Sequence, residues 1–238
     1  MRLCAALVLS VYTLLGFTGC GVVSEGVQEP PALSFVSVIT EYYEDISDKT
    51  GRDVTIRYPQ LQGLKNIELQ NEINEKLRPP HYEGDDDVHG MLLEAGFRYS
   101  LIDDRILSVR FYRFTQYDRK TTRPFSSMNT LNVDLKTGEY LELSDIVETD
   151  DRLKTLVETG GFAPTRFERF EDIAEKDNLY GRIYSFYLTE DSLGVVAAQC
   201  AAAGGYVELE IPYAEIEELL SAEYRPFLLF DGDNKRNH

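Results

Sequence analysis

Apolar and polar residues alternate along most of this 238-residue chain, which is the pattern of β-strands that bury one face. Alternation at 34–43 and again from Val54, with turn residues at 48–51 between them, predicts a β-hairpin. The clearest single strand is 91–101, where apolar residues occupy every second position. The same pattern predicts strands at 107–114, 124–135, 140–143, 183–188, 193–198 and 206–211.

Two details of the pattern concern how the strands pair. Pro59 has no N–H to donate, so the second strand of the hairpin is predicted not to continue past it as a paired central strand. Apolar positions at 107–111 alternate with polar ones, but Tyr112 and Phe114 then take over the apolar role. That change predicts a bulge or a change of face, within an antiparallel meander over 91–143 that has one face in water.

Helical periodicity is clearest after the hairpin. Asn66 is a good N-cap, and Leu69, Ile73 and Leu77 form an apolar stripe, so a helix is predicted to lie on a sheet there. Further helices are predicted at 149–159, from residue 164 and at 214–220. Together these elements predict an α+β fold with antiparallel sheets and a few helices packed on one face.

The first twenty residues have the character of a targeting segment. Arg2 supplies a positive charge, 3–15 are mainly apolar, and small residues precede Cys20. The sequence Phe-Thr-Gly-Cys at 17–20 resembles a bacterial lipobox, in which the cysteine sulfur accepts a diacylglycerol. We therefore predict lipidation at Cys20 and a membrane anchor at the bacterial cell envelope, outside the cytoplasm. A secretory signal without lipid attachment is the alternative.

The predicted domain organisation follows from these segments. Residues 1–19 are assigned to a lipoprotein signal peptide, 20–33 to a flexible tether, and 34–221 to an α+β region. Residues 222–238 are assigned to a C-terminal tail. The α+β region is divided into two subregions, 34–120 and 121–221.

Acidic residues outnumber basic ones. The chain has 41 Asp and Glu against 24 Lys and Arg, a formal net charge of −17 at pH 7. Such a field repels nucleic acid and attracts cations and basic proteins, so no nucleic-acid partner is expected. The alternative is that the charge only maintains solubility.

Few residues indicate chemistry. His81 and His89 flank an acidic run at 85–87, but their spacing matches neither a zinc site nor an EF-hand, so a solvated loop is favoured. Cys200 stands in an alanine-rich run with no histidine near it in sequence, which favours a buried small residue over a nucleophile. The sequence therefore predicts no catalytic, cofactor-binding or metal-ligating residue and no cofactor.

Three stretches recur in the same order in a known family. They are Tyr-Pro-Gln-Leu-Gln-Gly-Leu at 58–64 with 71–74, Asn-Val-Asp-Leu-Lys-Thr-Gly at 132–138 with 143–146, and Phe-Tyr-Leu-Thr-Glu-Asp at 186–191 with 211–216. Over 34–221 the chain resembles the extracytoplasmic domain of RsiV-type anti-sigma factors, and it is similar to the non-catalytic domain of PdaC-type peptidoglycan deacetylases. The resemblance implies an α+β fold and a sensing or binding role at the envelope, because the anti-sigma relatives bind lysozyme through this region.

Two departures from that family limit what is transferred. The chain is not expected to contain a sigma-binding segment or a spanning helix, so signalling to a sigma factor is not expected. The relatives carry a Pro- and Tyr-rich segment before the last strand, whereas 199–205 here reads Gln-Cys-Ala-Ala-Ala-Gly-Gly. No lysozyme-contacting residue is therefore assigned.

The sequence as a whole predicts a lipid-anchored, non-enzymatic binding or sensing protein. Its expected ligand is a basic protein such as lysozyme, steered by the acidic surface, or peptidoglycan and related cell-wall glycan. The 15 tyrosines include candidates for stacking on sugar rings, although the absence of Trp favours ordinary sheet positions for most of them. The alternatives are a cell-wall hydrolase or deacetylase accessory enzyme, and a structural envelope lipoprotein with a broad exposed apolar patch.

Overall fold

The computed structural model describes residues 36–49, 51–78, 91–117, 125–159, 178–198 and 205–229, which all lie in one compact unit. The strands are β1 (Ser37–Ser47), β2 (Arg52–Gln62), β3 (Leu92–Ile102), β4 (Ile106–Gln116), β5 (Phe125–Asp134), β6 (Ile183–Leu188), β7 (Ser192–Ala198) and β8 (Tyr206–Pro212). The helices are α1 (Ile67–Leu77), α2 (Leu143–Ile146), α3 (Asp151–Thr159), α4 (Tyr213–Ile216) and α5 (Arg225–Leu228). Two sheets with a few short helices confirm the predicted α+β class.

The first sheet has five strands in the order β1-β2-β3-β4-β5. β1 and β2 form the predicted hairpin, and Gly51 in its turn has a φ of 65°, which glycine adopts without steric cost. The predicted meander is also confirmed for β3, β4 and β5, which pair antiparallel in sequence order. β2 and β3 pair in parallel, with α1 between them in the chain, so this sheet contains one parallel pair.

Pro59 does not end β2. The strand continues to Gln62, and Pro59 lies opposite Thr40 of β1. The pairing of β2 with β3 stops earlier, at Ile56 and Ala95, so Pro59 falls where β2 has one neighbouring strand instead of two. Pro59 has no N–H to offer a second neighbour, and it is tolerated here because β2 pairs with β1 alone at this position.

Both faces are covered in the first half of β4, residues 106–110, which corrects the prediction of one wet face for this part of the meander. Leu107 and Val109 pack in the cluster that contains α1, on what we call the outer face of the first sheet. Ser108 and Arg110 point the other way, toward the second sheet, and we call this the inner face. Consecutive apolar positions in β4 reflect this double coverage.

The pattern change at Tyr112 and Phe114 is a change of face, one of the two predicted alternatives, because these residues share the inner face with Ser108 and Arg110. β4 pairs with β5 through Phe114 with no register shift, so the pattern change at Tyr112 and Phe114 is not a bulge. A register shift does occur in β3, between Tyr99 and Leu101. A bulge of this kind increases local twist and re-aims the neighbouring side chains.

Helix α1 forms as predicted on the outer face. The Asn66 side chain accepts a hydrogen bond from the Leu69 N–H at 3.1 Å, which satisfies one free donor of the first turn. Ile73 and Leu77 are buried in the same cluster as apolar residues of β2, β4 and β5. Those partners include Leu61, Leu107, Val109, Val133 and Leu135.

The second sheet has three strands in the order β6-β7-β8. The face of this sheet that carries Val195 and Leu209 packs on α2 to α5 and forms the largest apolar cluster. That cluster includes Tyr224 and Leu228, so the folded region extends past the predicted boundary at residue 221. Because β5 belongs to the first sheet, the two sheets do not divide at residue 120 either.

A single bridge residue and the start of a helix take the place of the predicted strand at 140–143. Tyr140 makes a single bridge to Val133, and α2 begins at Leu143. Gly138, with a φ of 77°, permits the turn between Val133 and Tyr140. The chain thereby leaves the first sheet and reaches the helical layer over the second.

Side chains of the first sheet satisfy the free edge of the second. β6 is an edge strand, and edge strands expose backbone groups that need partners. Asn132 Nδ2 donates to the Phe186 carbonyl at 2.8 Å, and Ser108 Oγ accepts from the Leu188 N–H at 2.9 Å. Thr130 Oγ1 also donates to the Phe186 carbonyl. The inner face of the first sheet is thus attached to β6 by its own polar residues.

Candidate ligand-binding cleft

The second sheet covers only part of the inner face. The remainder, formed mainly by β1 to β4, is an open cleft of about 920 Å³. This volume is within the range of small-molecule and oligosaccharide-sized sites. Its lining residues are Thr40, Tyr42, Arg57, Glu94, Gly96, Phe97, Arg98, Tyr99, Tyr112, Arg113, Phe114, Ser126, Ser127 and Tyr206.

Strand register brings the central lining residues together. Tyr42 lies opposite Arg57, Gly96 opposite Tyr112, and Arg98 opposite Arg110. Side chains along one strand alternate between the two faces of the sheet. Residues two apart on β3 therefore point to the same face, and the residues paired with them on β4 point to that face too. The cleft therefore gathers single residues from strands that are far apart in sequence.

Gly96 forms an open position in the floor of the cleft. A β-carbon built there meets no atom within 4 Å. The glycine is therefore not required by close packing, and its lack of a side chain leaves space between the flanking side chains of β2 and β4. Substitution at this position is a direct way to fill the cleft.

Aromatic rings line the cleft on several sides. The Tyr42 side chain is 64% exposed and that of Tyr99, beside the bulge, is 58% exposed. Tyr112 is half-buried, and its ring lies 5.6 Å from the guanidinium of Arg98. Exposed ring faces of this kind suit the apolar faces of sugars or other planar groups.

The cleft is cationic although the chain as a whole is acidic. Its lining contains three arginines, Arg57, Arg98 and Arg113, and one carboxylate, Glu94. Arg113 Nε donates to Thr115 Oγ1 at 2.9 Å. Within the described ranges, Arg57 and Arg98 have no carboxylate within ion-pair distance. Both are exposed, so the cleft presents positive charge to a ligand.

A buried polar cluster lies where the cleft meets the second sheet. Arg110 Nη1 lies 3.4 Å from a carboxylate oxygen of Glu208 and 3.9 Å from one of Glu210. The Tyr187 hydroxyl donates to Glu210 at 2.8 Å, and its ring centroid is 4.4 Å from the Arg110 guanidinium. A β-carbon at Gly194 would overlap the Tyr187 ring, so this glycine is required by packing.

Burial changes the acidity of the tyrosines around this cluster. Burial, with the nearby carboxylates of Glu208 and Glu210, raises the pKa of Tyr187 far above its ordinary value. Burial and the neighbouring Tyr206 raise the pKa of Tyr184 to about 12, against the hydrogen bond that its hydroxyl donates to the Met128 carbonyl at 2.7 Å. Burial also raises the pKa of Tyr112. These phenols therefore remain neutral hydrogen-bonding groups at neutral pH.

A second, acidic groove of about 700 Å³ lies between α3 and α4. Asp151, Glu215, Glu217 and Glu218 supply its negative charge. The one cation in its lining, Arg152, also contacts Asp150 at 2.9 Å and Glu148 at 3.2 Å outside the groove. The hydrogen bond that Arg152 donates to Asp150 holds the pKa of the Asp150 carboxyl below its usual value. Part of the net negative charge of the chain is therefore concentrated in this groove.

The structure does not describe the residues that were singled out from the sequence. Cys20, His81, His89 and Cys200 fall outside the described residues, so lipidation at Cys20 stays a prediction. Over the described ranges, no three metal-ligating side chains come together. In that same part of the chain, no helix has the length and apolar character needed to cross a membrane.

The recurring motifs prove to be structural. Asn74 accepts a hydrogen bond from the Leu61 N–H at 2.6 Å and donates to the Leu61 carbonyl at 3.0 Å, where β2 has lost its second neighbour. Asn132 supports the edge of β6 in the same way. Asp134 accepts from the Lys136 N–H at 2.8 Å in the turn after β5 and pairs with Arg105. These residues of the motifs have structural roles in this chain and do not line the cleft.

Sequence reasoning missed the cleft itself. Its residues were read as the polar or apolar positions of separate strands, and no short motif contains them. The one available signal was arginine and tyrosine at alternate positions of β3 and β4, such as Arg98 and Tyr112. That signal has meaning only once the register of the strands is known.

Comparison with known proteins identifies the fold. No family model and no curated protein matches the chain. Among solved structures, a member of the DUF3298 family from Bacteroides fragilis matches with a TM-score of 0.59 and 15% sequence identity, over 81% of this chain and 96% of that chain. The fold is DUF3298-like. A DUF3298 family protein from Pseudomonas aeruginosa aligns with a TM-score of 0.48 and 10% identity, over 83% of this chain and 97% of that one.

The DUF3298-like fold accounts for the sheets and helices described above and leaves the ligand open. At 15% identity the likeness shows the fold alone. It is compatible with the extracytoplasmic type of domain that the sequence resembles. Any function must therefore be argued from the cleft and the acidic groove of this chain.

Proposed function

We propose that this protein is a non-enzymatic binding protein of the bacterial cell envelope, anchored by lipid at Cys20 outside the cytoplasm, and that its cleft binds cell-wall glycan. The observation that carries the proposal is the open cleft on the inner face, where exposed rings lie near Arg57 and Arg98, two exposed arginines with no carboxylate within ion-pair distance in the described ranges. Protein sites for sugars combine ring faces with a few polar groups in this manner.

The chemistry of the cleft supports binding over catalysis. Glycoside hydrolysis generally uses a pair of carboxylates on opposite sides of the scissile bond. Among the described residues, the cleft lining contains one carboxylate, that of Glu94. Its other polar groups are hydroxyls and guanidiniums, which hold a sugar in place but supply no acid and base pair.

A second candidate function is the binding of a basic protein such as lysozyme. The specific observation in its favour is the acidic groove between α3 and α4, together with the net charge of −17. Opposite charge accelerates the encounter with a basic partner. The arginine-lined cleft repels such a partner, so the two candidate ligands belong to different surfaces.

Binding by the full chain in detergent micelles tests both functions. The protein is incubated with insoluble peptidoglycan or with lysozyme at low and at physiological salt, and the bound fraction is measured over a range of concentrations. We expect saturable binding to peptidoglycan at both salt concentrations. Tyr42→Ala should weaken it, because the exposed Tyr42 ring lines the cleft.

The matched control is Tyr117→Ala. Tyr117 is 56% exposed, close to the value of Tyr42, but it is outside the cleft lining. Glycan binding that Tyr117→Ala weakens as much as Tyr42→Ala would contradict the assignment of the cleft. Binding to lysozyme alone, weakened by Glu217→Gln, would favour the second function. No saturable binding to either ligand would overturn both.

A further inference from the structure

We infer that the cleft selects glycans that carry a carboxylate on the sugar ring, and that Arg57 and Arg98 bind this carboxylate. The inference rests on the proposed function and adds the chemical class of its ligand. It follows from the position and charge of the two arginines, the space at Gly96 and the rings around them.

Register places the two arginines on either side of an open position. Arg57 follows Ile56, which pairs with Ala95, so Arg57 comes level with Gly96 on the neighbouring strand. Arg98 is two residues farther along β3 and faces the same way. From ordinary strand spacings, the two α-carbons are about 8 Å apart. Two flexible arginine side chains at that separation can both reach one acidic group over Gly96.

Arg57 and Arg98 differ from Arg110, another arginine on the inner face, in the carboxylates around them. Arg110 is directly opposite Arg98 on β4, but carboxylates of Glu208 and Glu210 lie 3.4 Å and 3.9 Å from it. The Arg98 guanidinium lies 5.6 Å from the Tyr112 ring, and Arg57 is exposed opposite Tyr42. The guanidiniums of Arg57 and Arg98 lie on adjacent strands and repel each other. An acidic ligand bound between them relieves that repulsion.

The rings narrow the class of anion. A guanidinium forms paired hydrogen bonds with a carboxylate or a phosphate equally well. Tyr42, opposite Arg57, and Tyr112, beside Arg98, however, offer ring surface near the arginines, and a linear polyol phosphate has no ring to place against them. A pyranose with its own carboxylate uses both features at once. Nucleic acid also combines rings with anions, but the net charge of −17 opposes a polyanion of that density.

The test compares two probes that differ in one group. The full chain in detergent micelles is titrated with a uronic acid-containing oligosaccharide, whose carboxylate is attached directly to the pyranose ring, and with the same oligosaccharide after reduction of that carboxylate to an alcohol. We expect the carboxylated probe to bind about tenfold more tightly, which corresponds to a pair of charge-assisted hydrogen bonds. Arg57→Gln and Arg98→Gln should each lower the ratio of the two affinities from about ten toward one.

A charge-matched control separates local binding from net charge. Arg78→Gln also removes one positive charge, but Arg78 lies at the end of α1, paired with Glu75 at 3.3 Å and outside the cleft lining. It should leave the tenfold preference intact. Urea unfolding of every variant at pH 7 confirms that the binding results come from folded protein.

Each result has a distinct meaning. Equal affinity for the two probes overturns the inference and leaves glycan binding standing. A preference that survives in Arg57→Gln and Arg98→Gln overturns the assignment of these residues. Tighter binding of poly(glycerol phosphate) or single-stranded DNA than of the carboxylated probe overturns the ligand class. Absence of binding to both oligosaccharides overturns the proposed function itself.

Discussion

The covered and open halves of the inner face contain similar side chains in different states. In the covered half, Arg110 is paired with Glu208, and the Tyr187 hydroxyl is bonded to Glu210. In the open half, Arg98 and Tyr42 belong to the same sheet face but are exposed to solvent. The covered half is therefore complete without a ligand, while the open half has charge and ring surface available for one.

This difference teaches how to separate structural from functional arginines in one sheet. Residue type does not distinguish Arg98 from Arg110, since they are opposite each other on adjacent strands. What distinguishes them is the second sheet, which brings carboxylates to one and not to the other. Removal of a residue from the covered half should affect stability, and removal from the open half should affect binding.

The largest expected effect comes from removing the buried cation. Arg110→Met removes the guanidinium that lies 3.4 Å from the carboxylate of Glu208, whose side chain is 6% exposed. We expect the free energy of unfolding to fall by about 3 kcal/mol, the usual cost of breaking a buried ion pair from one side. The measurement is urea unfolding at pH 7.

The matched variant is Arg98→Met, on the opposite strand in the open half. It should change the free energy of unfolding by about 0.5 kcal/mol or less, as exposed substitutions usually do. Similar losses for Arg98→Met and Arg110→Met would mean that the two halves do not differ in the way described.

Two glycines give a second comparison of the halves. Alanine at Gly194 would force its methyl group into the Tyr187 ring, so we expect a loss of about 2 kcal/mol from overpacking. Alanine at Gly96 meets nothing within 4 Å and should leave stability unchanged or raise it slightly. Thermal unfolding measures both. A destabilised Gly96→Ala would show that the floor of the cleft is packed and not open.

Sequence patterns predicted the local elements because each depends on neighbouring residues. The cap at Asn66, the stripe from Leu69 to Leu77 and the hairpin turn at Gly51 are set by residues within one or two turns of chain. The wet face was predicted wrongly for the first half of β4, and a bulge could not be distinguished there from a change of face, because both depend on what covers β4. Coverage by β6, some seventy residues later in the chain, has no local signature.

The cleft was beyond sequence reasoning for a related reason. Its cationic character comes from Arg57 and Arg98, which are brought together by the parallel pairing of β2 with β3. The sequence gives alternation but not register, and a different strand order would separate them. The recurring motifs were visible because they are contiguous, yet Asn74 and Asn132 serve strand edges and not the ligand.

A smaller effect should come from the side chain that joins the two sheets. Asn132→Ala leaves the Phe186 carbonyl and the Ser108 hydroxyl with one partner fewer in a buried place. We expect the free energy of unfolding to fall by about 1.5 kcal/mol, within the range for an unsatisfied buried group. Asn129→Ala is the control, because Asn129 lies on the same strand but is exposed. Equal effects on urea unfolding would contradict a special role of Asn132 at the edge of β6.

The smallest expected effect concerns the phenol of Tyr184 at the border of the covered half. Partial burial raises its pKa to about 12 in the folded protein, although Tyr184 is 46% exposed, whereas an unfolded tyrosine ionises near pH 10. Between these values the unfolded state loses its proton first, so the contribution of Tyr184 to stability is present below pH 10 and is lost as the pH rises toward 12. The unfolding free energy of Tyr184→Phe should therefore decline less between pH 9 and about pH 11 than that of the unmodified chain. Urea unfolding across this range measures the difference. Parallel pH profiles for the two proteins would show that Tyr184 is not shielded by its contacts with β5 and β8, and the border between covered and open halves would then lie farther into the covered side.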